Sequence, residues 1–223
     1  MHRRHDLLWP DAEGRRAALA TARPLLAGAT REQVEALIGN PVIPAIVSRQ
    51  EERHDGQLEA GFSSPEKYDG SRLRVAVLVP LDRVVKTATP FQVADWVTSV
   101  GEPLRQSILI ELVEAAKKHD LTMGFFGSTA LQAMTGLPYC DAGSDIDGYV
   151  KVAGSAPALS GFYRVVMELE SESGIRIDIE CEYEDVFGIK LKELFAGQKM
   201  VLAKGLHSAE LFPAATVRAA FRI

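Results

Sequence analysis

Between Met123 and Val150 the chain reads MGFFGSTALQAMTGLPYCDAGSDIDGYV, and this stretch limits the possible folds more than any other. An apolar run, Met123 to Phe126, stops at Gly127-Ser128; a short helical pattern follows to about Met134. After a turn-rich return come Ser144-Asp145-Ile146-Asp147. On a strand, side chains at i and i+2 share a face roughly 6.6 Å apart, so Asp145 and Asp147 point one way and Ile146 the other, into a core. Two carboxylates on one face make a hard oxygen site suited to Mg²⁺. Upstream, Gly127 permits a sharp turn and a close backbone approach. Ser128 is the expected N-cap of the helix, whose free N–H groups would face an anion. Donors for a phosphate tail, followed by acids for its metal, are the parts of a phosphoryl-transfer site.

A further acid lies in Ile175-Arg176-Ile177-Asp178-Ile179-Glu180-Cys181, which alternates as a strand does. Asp178 and Glu180 share one face; Ile177, Ile179 and Cys181 share the other. A sheet with one wet face accounts for this pattern by itself. The functional expectation added to it is that Asp178, between two isoleucines, completes a carboxylate triad, with Glu180 as the other acid of the pair.

The order apolar-Gly-Ser, Asp-x-Asp, then an acid between apolar residues on a later strand resembles the nucleotidyltransferase superfamily with its polymerase-β-like palm. More narrowly, Gly127-Ser128 with Gln132, Thr135-Gly136-Leu137-Pro138-Tyr139 and Ser144-Asp145-Ile146-Asp147 is similar to the phosphoribosyl-dephospho-CoA transferases, the holo-[acyl-carrier-protein] synthases of malonate decarboxylase. The opening Arg4-His5-Asp6-Leu7-Leu8-Trp9 resembles the same family, as do Lys192-Glu193-Leu194 and Val201-Leu202-Ala203-Lys204-Gly205. Gly148 and Cys140-Asp141 depart from the pattern. The resemblance implies 2′-(5″-triphosphoribosyl)-3′-dephospho-CoA as donor and a serine of the apo acyl carrier protein subunit of malonate decarboxylase as acceptor. It implies Mg²⁺ held by Asp145, Asp147 and Asp178, which would also be the catalytic residues. Gly127, Ser128 and Gln132 would bind the donor, with Lys204 or Arg49 balancing its charge. Two other readings stay open: a nucleotidyltransferase moving AMP from ATP onto a small molecule or protein, and a non-catalytic nucleotide-binding domain.

A formal charge of −5, from 25 Lys and Arg against 30 Asp and Glu, argues against a nonspecific nucleic-acid binder, so no nucleic-acid polymer is expected as partner. Two cysteines, Cys140 and Cys181, in neither disulfide-framework nor zinc spacing, fit a reducing cytoplasm. No apolar stretch is long enough to span a bilayer, and MHRRHDLLWPD lacks the apolar centre of a signal peptide, so a cytoplasmic protein without membrane contact is expected.

The length suits one large domain or two small ones. The expected class is α+β, with a smaller N-terminal α+β module at 1–89 and a palm at 90–223. In the module, helices are expected from Glu13 to Arg23, ended or kinked by Pro24, and from Arg31 to Ile38, capped by Thr30. Val42 to Val47 and Leu73 to Val79 read as largely apolar runs of strand length, with the polar stretch Gln50 to Ser71 between them as a hairpin with a long loop. Leu7, Leu8 and Trp9 read as an apolar anchor. Arg49, Lys67, Arg72 and Lys86 are scattered cations available to phosphates. In the palm, Leu104, Ile108, Leu112 and Ala115 recur at helical spacing, as do Leu159, Phe162, Tyr163, Val166 and Leu169.

Overall fold

The computed structural model describes residues 2–99, 101–152 and 159–223. Their contacts divide the chain into two units: Met1–Thr89 with Leu137–Tyr139, and Pro90–Gly136 with Cys140–Ile223. The class is α+β, and each unit is built on its own six-stranded sheet.

In the first unit the elements run β1 (Leu7–Pro10), α1 (Ala12–Ala20), β2 (Arg23–Pro24), α2 (Arg31–Gly39), β3 (Ala45–Val47), β4 (Gln57–Tyr68), β5 (Ser71–Pro80) and β6 (Val84–Ala88). The sheet order is β2-β5-β4-β3-β1-β6, with antiparallel pairings throughout. The apolar anchor is thus a sheet strand, with Leu7, Leu8 and Trp9 buried. Helix α2 starts where Thr30 and Gln33 form a complete capping box, each side chain meeting the other's backbone N–H.

Three expectations fail here: α1 ends at Ala20 and Arg23-Pro24 pair as β2 instead of closing the helix, β3 starts at Ala45 and not at Val42, and the long loop is mostly strand. Gln50 to Ser71 is not mainly loop, because twelve of its residues form β4, the longest strand. Gly61 and Ser63-Ser64-Pro65 hide the alternation, but Ala60, Phe62 and Ser64 are buried. A register shift between Ser63 and Lys67 accommodates Pro65, which has no N–H to give a ladder.

Arg15 holds this unit together from within. It is 6% exposed, and it donates to the carbonyls of Pro10 (3.1 Å), Ile38 (2.8 Å), Pro41 (3.2 Å) and Ile43 (2.9 Å). Its guanidinium also lies over the Phe62 ring, 5.5 Å from the centroid. Arg15→Met keeps the stem and strands these acceptors, so it should cost about 2–4 kcal/mol, read as a lower midpoint in urea with unchanged m. An unchanged midpoint would remove Arg15 from the account of stability.

The second unit runs α3 (Pro90–Val93), a 3₁₀ turn (Ala94–Ser99), α4 (Pro103–Lys118), β7 (Leu121–Phe125), α5 (Gly127–Thr135), β8 (Ile146–Val152), α6 (Leu159–Ser173), β9 (Ile177–Tyr183), β10 (Phe187–Lys190), α7 (Leu191–Phe195), β11 (Met200–Lys204), β12 (Ala209–Pro213) and α8 (Ala214–Phe221). Its sheet order is β12-β11-β10-β9-β8-β7. Among the described residues β8 and β9 are the one pair in this sheet that runs parallel, as expected when a helix, α6, carries the chain between them.

One face of this sheet is apolar: Met123, Phe125, Ile146, Val150, Ile177, Ile179, Cys181, Ile189, Val201 and Ala203 are all buried. Helix α4 packs on β7 and α6, and α7 on β9. Leu159, Phe162, Val166 and Leu169 are buried as their spacing predicts; Tyr163 stacks on Phe195 with centroids 4.2 Å apart. Leu104 leaves its expected stripe and is 53% exposed, while its neighbour Arg105 is buried. Gly148 sits under this face: a Cβ there would lie 2.5 Å from both Ile179 Cδ1 and Met123 Cε, so neighbouring side chains fill its space. No helix among the described residues is long and apolar enough to cross a membrane.

Candidate functional site

Strand register brings the predicted acids together. In the parallel ladder Asp147 is the direct partner of Asp178, and Tyr149 of Glu180. The next pairing sets Lys190 opposite Glu180, and the one after it sets Lys204 opposite Gly188. Partners and i+2 neighbours share a face, so Asp147, Asp178, Glu180, Lys190 and Lys204 stand on the side of the sheet opposite the apolar core. Asp145 precedes the first residue of β8, and the alternation already holds there: Ile146 is fully buried and the Asp145 side chain 41% exposed.

The face is only partly wet. Glu180 and Glu182 are both buried, 5% and 7% exposed. Glu182 is held by Lys151 Nζ at 2.7 Å, and Glu180 Oε1 stands 4.0 Å from Lys204 Nζ. Asp178 receives Lys190 Nζ in a short contact and has Arg176 Nη2 at 3.8 Å. Arg176 also reaches Asp145 Oδ2 at 3.7 Å. Asp147 differs: among the described residues its carboxylate has no ion pair and accepts no hydrogen bond. Burial, then the negative fields of Asp178, Asp145 and Glu180, push its pKa up to about 6 against a smaller opposing effect of Lys190.

The turn before α5 is shaped by this same carboxylate. Gly127 has φ +62°, and a Cβ built on it would lie 2.4 Å from Asp147 Oδ2. Phe126 N–H donates to the Asp147 carbonyl at 3.1 Å, which ties the turn to β8. Ser128 is not the N-cap. The helix begins at Gly127 with Phe126 in the cap position, so Ser128 lies inside the first turn and no side chain caps the end. The first amides of α5 are thereby left without a side-chain acceptor, next to Asp147. Thr129, also in that turn, is fully buried with its hydroxyl unpartnered among the described residues.

Gln132, expected to touch the donor, uses its side-chain carbonyl to accept Cys140 N–H at 2.7 Å. Arg49 belongs to the first unit, where it pairs with Glu51 at 2.9 Å. In that unit Lys86 covers the Trp9 ring, and Arg72 donates to the Tyr139 carbonyl at 2.6 Å. Lys190, Arg176 and Arg105 were not singled out by their sequence. An isolated cation in a strand or helix carries no signal of its own; only the β9–β10 register reveals what Lys190 faces.

The donor set suits a hard divalent cation in its chemistry: carboxylate oxygens, with the half-buried Asp147 carboxylate in no ion pair among the described residues. Among the described residues no three Asp, Glu, His or Cys side chains are already gathered in a metal-holding group, and Asp178 is engaged by its two cations. Asp145 and Asp147 thus fit as a partial ligand set that phosphate oxygens and water would complete.

Residues 92–215 match the family described as phosphoribosyl-dephospho-CoA transferase MdcG C-terminal domain, and residues 3–90 the corresponding N-terminal domain. A curated relative from Xanthomonas axonopodis pv. citri, named phosphoribosyl-dephospho-CoA transferase, is 28% identical over 177 residues, covering 78% of this chain and 81% of the relative. Relatives of the same name from Xanthomonas campestris pv. campestris and Bradyrhizobium diazoefficiens are each 26% identical, over 94% and 93% of this chain and 93% and 88% of their own. No solved structure matches the chain.

Proposed function

The chain belongs to the phosphoribosyl-dephospho-CoA transferase family, and from that premise we propose that it moves the phosphoribosyl-dephospho-CoA group from 2′-(5″-triphosphoribosyl)-3′-dephospho-CoA to a serine of the apo acyl carrier protein of malonate decarboxylase. The second unit is then a nucleotidyltransferase palm, and the first a smaller module attached to it. Both cysteines are free thiols, and a reducing cytoplasm is the proposed setting.

The observation that carries this reading is the gathering of Asp145, Asp147 and Asp178 with Lys190 and Arg176 beside the uncapped start of α5. Asp145 and Asp147 would hold Mg²⁺, joined by Asp178 once Lys190 and Arg176 turn from it to the phosphates, and the ion when bound would supply a Lewis acid that offsets charge on the triphosphate. The amides of Gly127 and Ser128 would take phosphate oxygens at the helix start. Lys190, Arg176 and Lys204, now on carboxylates, would share their charge with the phosphates. The serine oxygen bonds to the phosphorus next to the ribose, and the P–O bond to the next phosphate breaks. Pyrophosphate leaves with the bonding electrons. Asp178 is the proposed acceptor of the serine proton. Most of the rate then comes from positioning and charge neutralisation, as is usual for phosphoryl transfer.

Donor choice separates this reading from transfer of AMP. Pyrophosphate release should need the apo carrier and the triphosphoribosyl donor, and ATP should support it at least about 10²-fold less well. Equal or faster release from ATP would replace the proposed donor.

A further inference from the structure

We propose that Arg105 is a positioning residue for this transfer: from α4 it clamps the turn at 141–145 and so sets where the Asp145 carboxylate stands. The inference rests on the reading of Asp145 as part of the transfer site. Arg105 lies in the first turn of α4 and is 4% exposed. Its Nη2 donates to the carbonyls of Ser144 and Asp141 (3.3 Å for Asp141), and Nη1 to that of Asp145 at 3.4 Å. Its neighbours along the helix, Ile108, Leu109 and Leu112, are buried and apolar, the filling a structural position would be expected to have. Burying a guanidinium there costs desolvation that a methionine would avoid, and what it gains is three carbonyls of one turn.

The turn needs an outside anchor. Its own bonds are short-range: Asp141 Oδ1 accepts from Gly143 N–H at 3.1 Å and from the Ser144 hydroxyl at 3.0 Å, and Ser144 N–H donates to the Asp141 carbonyl at 3.0 Å. Gln132 fixes the entry through Cys140 N–H. The exit is fixed where Ile146 N–H donates to the Arg176 carbonyl at 2.8 Å. Asp145 stands between Ser144, held by Arg105, and Ile146, held by the ladder. Its side chain is 41% exposed, and among the described residues its ion pair is the 3.7 Å contact to Arg176, so the backbone on either side of it aims the carboxylate.

Two variants of the full chain test this, Arg105→Met and Arg105→Lys, each followed by amide hydrogen exchange, thermal melts and transfer kinetics. Exchange at Asp141, Gly143 and Ser144 should quicken at least tenfold, while amides of β9 keep their rates. Transfer per folded molecule should fall about tenfold or more, with Arg105→Lys between Arg105→Met and the parent. Added to Asp145→Asn, Arg105→Met should cost no more than a further twofold, because the group it positions is already gone. Unchanged exchange in the turn, or losses that multiply fully in the double variant, would overturn the proposal. If Arg105→Met does not fold, the same readouts on Arg105→Lys decide. A fully active Asp145→Asn would sink the assignment of Asp145 instead, and the exchange rates would still rule for or against the clamp.

Discussion

Asp147→Asn is expected to lose roughly 10²–10³-fold or more in transfer rate and yet to melt at a higher temperature than the parent protein at pH 7.5 without divalent ions. The two effects share one cause. Asp147 is half-buried beside Asp178, Asp145 and Glu180 with no ion pair among the described residues, and its pKa is raised to about 6 from 3.8. The folded state therefore holds this proton more tightly than the unfolded chain does. Its contribution to stability is greatest below pH 3.8, is lost as pH rises from about 3.8 to about 6, and stays lost above that. At roughly 1.4 kcal/mol per pKa unit, and allowing for partial exposure of the site, the ionised carboxylate costs on the order of 1–2 kcal/mol. Asparagine keeps the shape and cannot ionise. The melting temperature of the variant should exceed that of the parent by about 2–6 °C at pH 7.5, and the gap should close near pH 4. Added Mg²⁺ should raise the parent more than the variant, since a cation binding the native state stabilises it by mass action. A variant that melts at or below the parent across this range would contradict the electrostatic account of the site.

Gly127→Ala is expected to damage both folding and transfer, for reasons that can be separated. A residue with a side chain at φ +62° is strained, at a cost of about 1 kcal/mol or more. The new methyl would also stand 2.4 Å from Asp147 Oδ2 and 3.2 Å from its Cγ, so the carboxylate must swing away. Displacing a reacting group by about 1 Å can cost around 10²-fold. Transfer per folded molecule, with the folded fraction taken from melts, should drop by about that factor. Combined with Asp147→Asn, Gly127→Ala should then cost little more than its strain. Activity that simply tracks the folded fraction would make the glycine a matter of chain geometry alone.

Much of the site was legible because its parts obey short-range periodicities. Asp-x-Asp and the alternation of Ile177 to Cys181 place carboxylates on one face whatever the rest of the chain does. What could not be read is long-range. Lys190 meets Asp178 through the β9–β10 register, and Arg105 reaches its turn across some forty residues of chain. The burial of Glu180 and Glu182 was hidden for the same reason: alternation gives the side of a sheet, not what covers it. Ser128 defeats a local rule, since a serine after glycine looks like a cap, whereas here the helix takes in Gly127 and starts two residues earlier than that cap would set it. Strand β4 was missed because a glycine, a proline and two serines interrupt a pattern that pairing with β5 restores.

The measurement closest to the central claim is the intact mass of a candidate apo carrier protein after incubation with this enzyme, Mg²⁺ and equal amounts of triphosphoribosyl-dephospho-CoA and ATP. The account predicts one addition, equal to phosphoribosyl-dephospho-CoA, on a single serine, with no addition when Asp147→Asn replaces the parent. An unmodified carrier, or one carrying AMP, would contradict it.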